Sequence, residues 1–319
     1  MANAVWICTI YKLQNQTHHP TAKYNLVKTK LYLSVFCVGF FWGTTFLGIR
    51  IGVETIPPFL VSGLRNILSG SLILLFLIAT KKTERIQLHH VARALVLALL
   101  MIVIGNGLTT YSEKYISSGL ASLISTLSPL VVLLFNLVLG YEKLSIKTIA
   151  GIFLGLFGMY LLYENNMSDF IKPEYREGVG ALLLAIIAWS AGTLVTKRAK
   201  VNPLGMLMNV SMQMLLAGVI LCGLHLGTQG PIDSSQWSNR SMLAIVYLAL
   251  FGSVVGYVAY SYLMTQWSST RVTVLAYVNV VIALFLGWLI LDETITPRII
   301  LATAVIVSGV VLVNYKKRA

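Results

Sequence analysis

Long apolar runs alternate with short polar segments along almost the whole chain. None of the runs shows the strict alternation of apolar and polar residues that marks a membrane-spanning strand. A helix needs about 20 apolar residues to cross the ~30 Å hydrocarbon core of a bilayer. Ten runs reach or approach that length, at about residues 31–50, 59–79, 91–110, 117–139, 146–163, 178–197, 203–225, 241–264, 269–290 and 297–314. The pattern therefore predicts an all-α polytopic membrane protein with ten transmembrane helices, which we number as runs 1 to 10.

The amino-acid composition agrees with this class of protein. Hydrophobic residues make up 57% of the chain and charged residues only 11%, whereas a soluble domain contains about 25% charged residues. The net charge of +13 is also a feature of nucleic-acid-binding proteins, but here the basic residues lie in short segments between apolar runs. We therefore interpret the charge as a topology signal, and we expect contact with the lipid bilayer and no nucleic-acid partner.

The distribution of basic residues predicts the orientation of the chain. If both termini lie on one side, the segments on that side carry 17 of the 24 lysines and arginines, and the opposite segments carry 6. Because cytoplasmic segments are enriched in these residues, both termini are predicted to be cytoplasmic. Residues 1–30 then form a mostly disordered cytoplasmic tail, with a short interfacial helix as the alternative, and residues 315–319 form a basic cytoplasmic C-terminus. The expected location is the cell membrane, and the inner membrane if the source is a bacterium.

The two halves of the chain resemble each other weakly but in a consistent order. The segment "RNILSG" at 65–70 aligns with "QMLLAG" at 213–218, with an offset of 148 residues. Trp42 in "FFWGTTF" aligns with Trp189 in "IAWSAGT", with an offset of 147 residues. Similar offsets at both places indicate an internal repeat.

The repeat divides the chain into two units of five runs each. The first unit covers 31–163, an external linker covers 164–177, and the second unit covers 178–314. Because each unit crosses the membrane an odd number of times, the two units must lie in opposite orientations. Inverted repeats of this kind are a common plan of secondary transporters, whose binding site lies near the bilayer midplane between the repeats.

The chain resembles the EamA-like branch of the drug/metabolite transporter superfamily over nearly its whole length. The resemblance rests on a Trp-Gly pair in run 1, on "SSGLASLISTLSPLV" at 117–131, and on glutamates after runs 4 and 9 (Glu142 and Glu293), with a Gly-rich run 5. It implies export or exchange of small polar metabolites, often amino acids, through a cavity lined mainly by helices 1, 3, 4, 6, 8 and 9. Val280 stands where many members have proline. Whether helix 9 is broken in the same way as helix 4 is therefore left undecided by the sequence, and we expect the two halves to flex unequally.

Uncharged polar and aromatic residues inside those six runs are the candidate substrate-binding residues. They are Trp42, Thr45, Asn106, Tyr111, Ser125, Ser128, Trp189, Thr193, Tyr257, Tyr260, Tyr277 and Asn279. Hydrogen bonding between helices, and the interfacial belt for aromatic residues near helix ends, are the alternative roles. Aromatic faces with hydroxyl and indole donors suit an uncharged, zwitterionic or aromatic metabolite better than a bare ion.

Pro129 is the one proline deep inside a run, and we interpret it as a gating residue. Ser122, Ser125, Pro129 and Asn136 follow helical spacing, so they share one face of helix 4. A proline removes the hydrogen bond to the carbonyl four residues earlier, which is that of Ser125. We expect this carbonyl to face the substrate path or a water, and the helix to bend there.

Charged residues inside the runs are rare. No acidic residue lies at the centre of a run, so we do not expect a proton antiport centred on a carboxylate. Glu113, at the outer end of run 3, is a candidate gating or pairing residue, with an ordinary loop charge as the alternative. For Arg65, six residues into run 2, we expect a side chain that extends to the outer interface. Binding of a substrate carboxylate, or pairing with Glu54 or Glu113, are its alternative roles.

The predicted function is secondary transport or export of a small polar metabolite, such as an amino acid, by alternating access. We expect no enzyme activity, no cofactor and no metal, and the sequence has no Gly-rich lysine motif for ATP phosphates. A membrane-embedded enzyme acting on lipid or acyl substrates is the alternative, and it would need a converging His, Asp or Cys cluster. The expected state is a monomer or weak homodimer. Gly151 and Gly155 have the spacing for close helix packing, which we expect inside the bundle against helix 10, with a dimer seam as the alternative.

Overall fold

A computed structural model of the protein describes residues 20–142, 145–163, 175–198, 205–282 and 297–314. Ten helices lie within these ranges, and we number them in chain order. They are α1 (Pro20–Gly52), α2 (Pro58–Ala79), α3 (Leu88–Ser112), α4 (Ser118–Val138), α5 (Ile146–Tyr163), α6 (Arg176–Arg198), α7 (Met206–Gln229), α8 (Asn239–Gln266), α9 (Ser269–Ile282) and α10 (Pro297–Asn314).

Each described helix coincides with one predicted run, so the predicted all-α polytopic fold is confirmed. Seven helices are long and apolar enough to cross a membrane, and α5, α9 and α10 are shorter apolar helices. The first helix begins at Pro20, inside the predicted tail, because proline is well suited to the first helical position and no glycine or proline follows before run 1. Residues 1–19, 164–174 and 315–319, together with Glu293, lie outside the described residues.

The fourth helix is divided by a short turn. Its two segments, Ser118–Ser125 and Ser128–Val138, flank Thr126 and Leu127. The N–H groups of these two residues bond to carbonyls three residues earlier, both at 3.0 Å, in place of the usual four. The turn precedes Pro129, which lacks the N–H that a continuous helix would need.

The ninth helix has a matching turn at Val274 and Leu275, 148 residues after the turn in α4. The N–H of Leu275 bonds to the carbonyl of Val272 at 3.1 Å. The helix is broken here even though Val280 stands where many family members have proline. A proline is therefore not needed for the break in α9. Three consecutive β-branched residues, Val272 to Val274, lower the helix propensity at this point.

The third and eighth helices each contain a π-helical segment, which the apolar pattern of the sequence does not predict. The segments cover Ala98–Asn106 and Leu248–Val255, and they begin 150 residues apart. A π-helical segment shifts the backbone hydrogen bonds by one residue and occurs often at functional sites. The two halves of the chain therefore share their irregular helices as well as their regular ones.

Buried apolar side chains form two principal clusters. The first cluster joins α1, α2, α3, α7 and α8 with the start of α9, and the second joins α4, α5, α6, α9 and α10. In the second, a Cβ atom added at Gly151 would lie 2.5 Å from Cγ2 of Val313 and 2.7 Å from the carbonyl oxygen of Gly309. The predicted packing of α5 against α10 is therefore confirmed, and Gly155 faces the ring of Tyr277 on α9.

Candidate functional site

A cavity of about 150 Å³ lies where the first and second clusters meet. A single water needs roughly 10–15 Å³ of such space, so the cavity has room for several waters or for a small solute. Its described walls come from α1, α2, α3, α4, α6, α7, α8 and α9. All six helices that the family resemblance implies contribute residues to this wall, and α2 and α7 contribute as well.

Nine of the twelve candidate binding residues line this cavity. They are Trp42, Thr45, Asn106, Ser125, Ser128, Trp189, Tyr257, Tyr260 and Asn279. The fold therefore brings these residues together from both repeats around one cavity.

The other three candidates do not line the cavity, because each lies on a face of its helix that packs against other residues. Thr193 is buried behind the wall, where its hydroxyl shares a 2.6 Å hydrogen bond with the hydroxyl of Tyr260. Tyr277 is buried against α5 and donates to the carbonyl of Ile152 at 3.3 Å. Tyr111 donates to the carboxylate of Glu177 near the end of its helix.

Four aromatic side chains, Trp42, Trp189, Tyr257 and Tyr260, form one side of the cavity, and we call them the aromatic wall. The ring centroids of Trp42 and Trp189 lie 5.5 Å apart with nearly perpendicular planes. The ring of Tyr260 lies 5.2 Å from Trp42 and 5.5 Å from Trp189. Such edge and tilted contacts are favourable geometries for aromatic pairs. One tryptophan of the aromatic wall comes from each repeat.

The polar ends of the aromatic wall are held by protein groups. The indole N–H of Trp42 donates to the carbonyl of Gly252 at 3.0 Å, within the π-helical segment of α8. The hydroxyl of Tyr257 donates to Oε1 of Gln213 on α7 at 2.8 Å. These hydrogen bonds fix the rings, so the wall presents ordered aromatic faces to the cavity.

The carbonyl of Ser125 is not left free by Pro129. The hydroxyl of Ser128 donates to it at 2.7 Å, which replaces the missing backbone donor. Serine hydroxyls are known to satisfy backbone groups freed by proline in membrane helices. The carbonyl therefore has a donor within α4, and Ser125 and Ser128 both line the cavity.

A polar side chain, Asn279, also lies just after the break in α9. With its amide placed so that nitrogen meets acceptors, Asn279 donates to the carbonyl of Leu275 at 3.3 Å and to that of Gly39 on α1 at 3.1 Å. This amide orientation is assigned from the hydrogen-bond partners. Asn279 therefore links the segment after the turn to α1 beside the cavity, while the carbonyl of Leu275 also accepts from the backbone N–H groups of Val278 and Asn279.

Arg65 is buried in the bundle and does not extend to the outer interface as expected. Only 4% of the residue is exposed, and the side chain contributes to the cavity lining. Its Nε donates to the hydroxyl of Ser253 on α8 at 3.1 Å, and its Nη1 has no hydrogen-bond partner among the described residues.

A polar stripe on α2 is the sequence signal that would have located Arg65. Ser62, Arg65, Asn66 and Ser69 recur at helical spacing, and all four are buried. The hydroxyl of Ser69 donates to the carbonyl of Ala249 on α8 at 3.0 Å. Because polar residues at this spacing share one face, the stripe indicates a face that points into the bundle.

Glu113, the other gating candidate, is also buried, so it is not an ordinary loop charge. Its exposed fraction is 0%, and neither carboxylate oxygen has a hydrogen-bond partner among the described residues. Burial raises the pKa of the Glu113 carboxyl well above its usual range, and the positive charges of Arg50 and Arg65 oppose this increase only in part. The guanidinium of Arg50 donates to the backbone carbonyl of Glu113.

A ten-helix apolar bundle with a central cavity walled by both repeats has the architecture of a polytopic membrane transporter. The sequence model of the EamA-like transporter family matches residues 29–164 and 176–315, which is nearly the whole chain. The protein belongs to this family, and the resemblance noted in the sequence is confirmed.

Similar proteins are also named as membrane transporters. The chain is 34% identical over 289 residues to the uncharacterized inner membrane transporter YedA of Escherichia coli strain K12, covering 90% of this chain and 91% of that protein. It is 25% identical to the uncharacterized transporter YoaV of Bacillus subtilis strain 168, covering 88% and 95%. A solved crystal structure has the same fold, with a TM-score of 0.72 at 20% identity over 89% of this chain and 96% of that chain. The protein is therefore a multi-pass membrane transporter.

Proposed function

We propose that this protein is a secondary transporter or exporter of a small polar metabolite, an amino acid or similar solute, and that it works by alternating access. The observation that carries the proposal is the cavity itself, whose walls combine polar and aromatic side chains from both repeats. Its volume of about 150 Å³ suits a solute of amino-acid size. Secondary transporters built from inverted repeats place their binding site in this position.

The arrangement of the two clusters supports a movement of one half of the bundle against the other. The turns in α4 and α9 lie beside the cavity, at Thr126–Leu127 and Val274–Leu275. Hinges are short segments that absorb changes in backbone angles while packed elements move as units. In the proposed cycle, the two turns bend and the cavity opens first to one side of the membrane and then to the other.

Transport by purified protein in liposomes tests this proposal. Liposomes loaded with one unlabelled amino acid are placed in the same labelled amino acid, and counterflow is followed across a panel of amino acids. We expect uptake of at least one solute, which Trp189→Ala in the aromatic wall strongly reduces. Phe157→Ala, on an exposed position of α5, is the control and should transport normally. Folded protein that moves no solute of the panel would contradict the proposal.

A further inference from the structure

We propose that Arg65 binds a carboxylate group of the transported solute, so that the substrates are carboxylates or zwitterions. This inference rests on the proposed transport function, and it names the chemical group that the same cavity recognises. Arg65 is the one charged side chain among the described residues that line the cavity, and no acidic side chain is among them. The cavity therefore carries an uncompensated positive charge, which favours an anionic group in its contents.

The guanidinium of Arg65 has an N–H donor group without a partner among the described residues. An arginine carries five N–H donors in a planar fork that matches the two oxygens of a carboxylate. Here Nε donates to Ser253, while Nη1 is buried with no hydrogen-bond partner in the described part of the chain. Because leaving such a donor unpaired is unfavourable, the guanidinium is available to donate a hydrogen bond to a ligand oxygen.

Glu113 does not fill this role, although its position beside Arg65 makes it the first candidate. Both of its carboxylate oxygens lack a hydrogen-bond partner among the described residues, so it forms no bond with Arg65. The guanidinium of Arg50 is directed at the backbone carbonyl of Glu113 and leaves its side chain unpaired. Glu113 therefore leaves Nη1 of Arg65 without a hydrogen-bond acceptor, and a solute carboxylate can take that place.

Neighbouring groups complete a place for a carboxylate. The oxygen of Ser253 accepts the hydrogen bond from Arg65, so its own O–H is available as a donor. In Asn106, Oδ1 accepts from Ser62 at 3.0 Å, which leaves the amide NH₂ to donate. Both residues line the cavity. The carboxylate would then receive donors from α2, α3 and α8.

The aromatic wall lies in the same cavity and offers a surface for the rest of the solute. Aromatic faces attract ammonium groups through cation–π contacts and also pack against apolar side chains. An α-amino acid, with a carboxylate at Arg65 and its other groups on the wall, satisfies both ends. A solute that carries only an amine would leave Arg65 unpaired and add a second positive charge.

Three probes with the same aromatic body separate these requirements. They are L-phenylalanine, which is zwitterionic, 3-phenylpropionate, which carries only the carboxylate, and L-phenylalaninamide, which carries only the ammonium. Binding to purified protein is followed by tryptophan fluorescence, and counterflow is measured in liposomes. We expect both carboxylates to bind and the amide to bind on the order of tenfold more weakly or worse. Arg65→Gln should remove this preference, whereas the same substitution at the exposed Arg240 should keep it.

The outcomes distinguish this inference from the transport proposal. Counterflow of amides or other solutes without a carboxylate, equally fast in wild type and Arg65→Gln, would overturn the inference and leave the transport function intact. The absence of counterflow for every solute would overturn both. Arg65→Lys serves as a second variant if Arg65→Gln folds poorly, because it keeps the charge and loses the planar fork. We expect it to retain the preference for carboxylates with weaker binding.

Discussion

Burial of an ionisable side chain disfavours its charged form unless a partner compensates it. Glu113 is fully buried with both carboxylate oxygens unpaired among the described residues. Burial is the main influence on its pKa, which lies well above the usual range despite the positive charges of Arg50 and Arg65. The carboxyl is therefore held in its neutral form over a range of pH in which an exposed glutamate is ionised.

Glu113→Gln should change how stability depends on pH. The folded wild type keeps the proton that the unfolded chain releases near pH 4.3, so folding becomes less favourable as pH rises through the interval up to the raised pKa. In that interval wild type should lose up to ~1.4 kcal/mol per pH unit relative to the glutamine variant. Thermal unfolding of detergent-purified protein between pH 5 and pH 8 measures the difference.

The control for this experiment is Glu54→Gln, because Glu54 is an exposed carboxylate on the same side of the bundle. Its unfolding temperature should follow that of wild type at every pH. If the melting temperatures of Glu113→Gln and wild type change in parallel with pH, the buried carboxyl is not the group responsible.

At the scale of helices, the breaks in α4 and α9 arise from different sequences. Pro129 follows the turn in α4, whereas the turn in α9 follows a run of β-branched residues and precedes Val280. Proline is thus sufficient for a break but not required for one. The proline nevertheless distinguishes the two hinges, because it keeps α4 from forming the missing backbone hydrogen bond in any state.

Pro129→Ala should therefore slow transport without preventing folding. Alanine can donate the hydrogen bond to the carbonyl of Ser125, which would straighten and stiffen α4 beside the cavity. We expect a decrease of about tenfold in the transport rate, equivalent to ~1.4 kcal/mol in the barrier, with little change in the affinity for the solute. Liposome transport and ligand binding measure the two quantities separately.

A proline outside the cavity provides the comparison. Pro297 is the first residue of α10, where its missing N–H has no consequence for the helix. Pro297→Ala should transport like wild type. Equal rates for Pro129→Ala and wild type would show that the turn in α4 is not a hinge of the transport cycle.

Packing between α5 and α10 depends on the absence of a side chain at Gly151. A Cβ atom there would lie 2.7 Å from the carbonyl oxygen of Gly309, so the two helices would have to separate. Gly151→Ala should lower the stability of the folded protein by about 1–3 kcal/mol. On α6, Gly180 has nothing within 4 Å of its added Cβ, so Gly180→Ala should be neutral or slightly stabilising. Thermal unfolding of both variants gives the comparison, and equal losses would contradict the packing argument.

At the scale of the whole molecule, the sequence predicted which segments are helices far better than how each helix is rotated. Length and apolar character identify a spanning helix directly, and all ten runs became helices within the described residues. Rotation depends on which neighbours each face meets, so Arg65 was expected at the interface and is buried in the bundle. Tyr111 and Tyr277 were expected in the cavity for the same reason and point elsewhere.

Local irregularities were the other features that the sequence did not reveal. The π-helical segments contain ordinary apolar residues and glycine, and such residues fit a regular α-helix equally well. Their conformation is favoured by contacts between helices, such as the hydrogen bond from the indole of Trp42 to the carbonyl of Gly252. Proline alone gives a clear signal of a break, and α9 has none at its turn.

The basic residues predict the orientation of the bundle in the membrane, and this prediction is open to a direct test. With 17 basic residues on one side and 6 on the other, the bias is large for a chain with 24 in total. Green fluorescent protein folds in the cytoplasm and not after export through the bacterial secretion channel, whereas alkaline phosphatase is active only outside. Fusion after residue 319 should therefore give fluorescence without phosphatase activity, and fusion of either reporter within residues 164–174 should give the opposite result. Phosphatase activity at both positions would mean an even number of spans between the two sites, and the two repeats would then not be inverted.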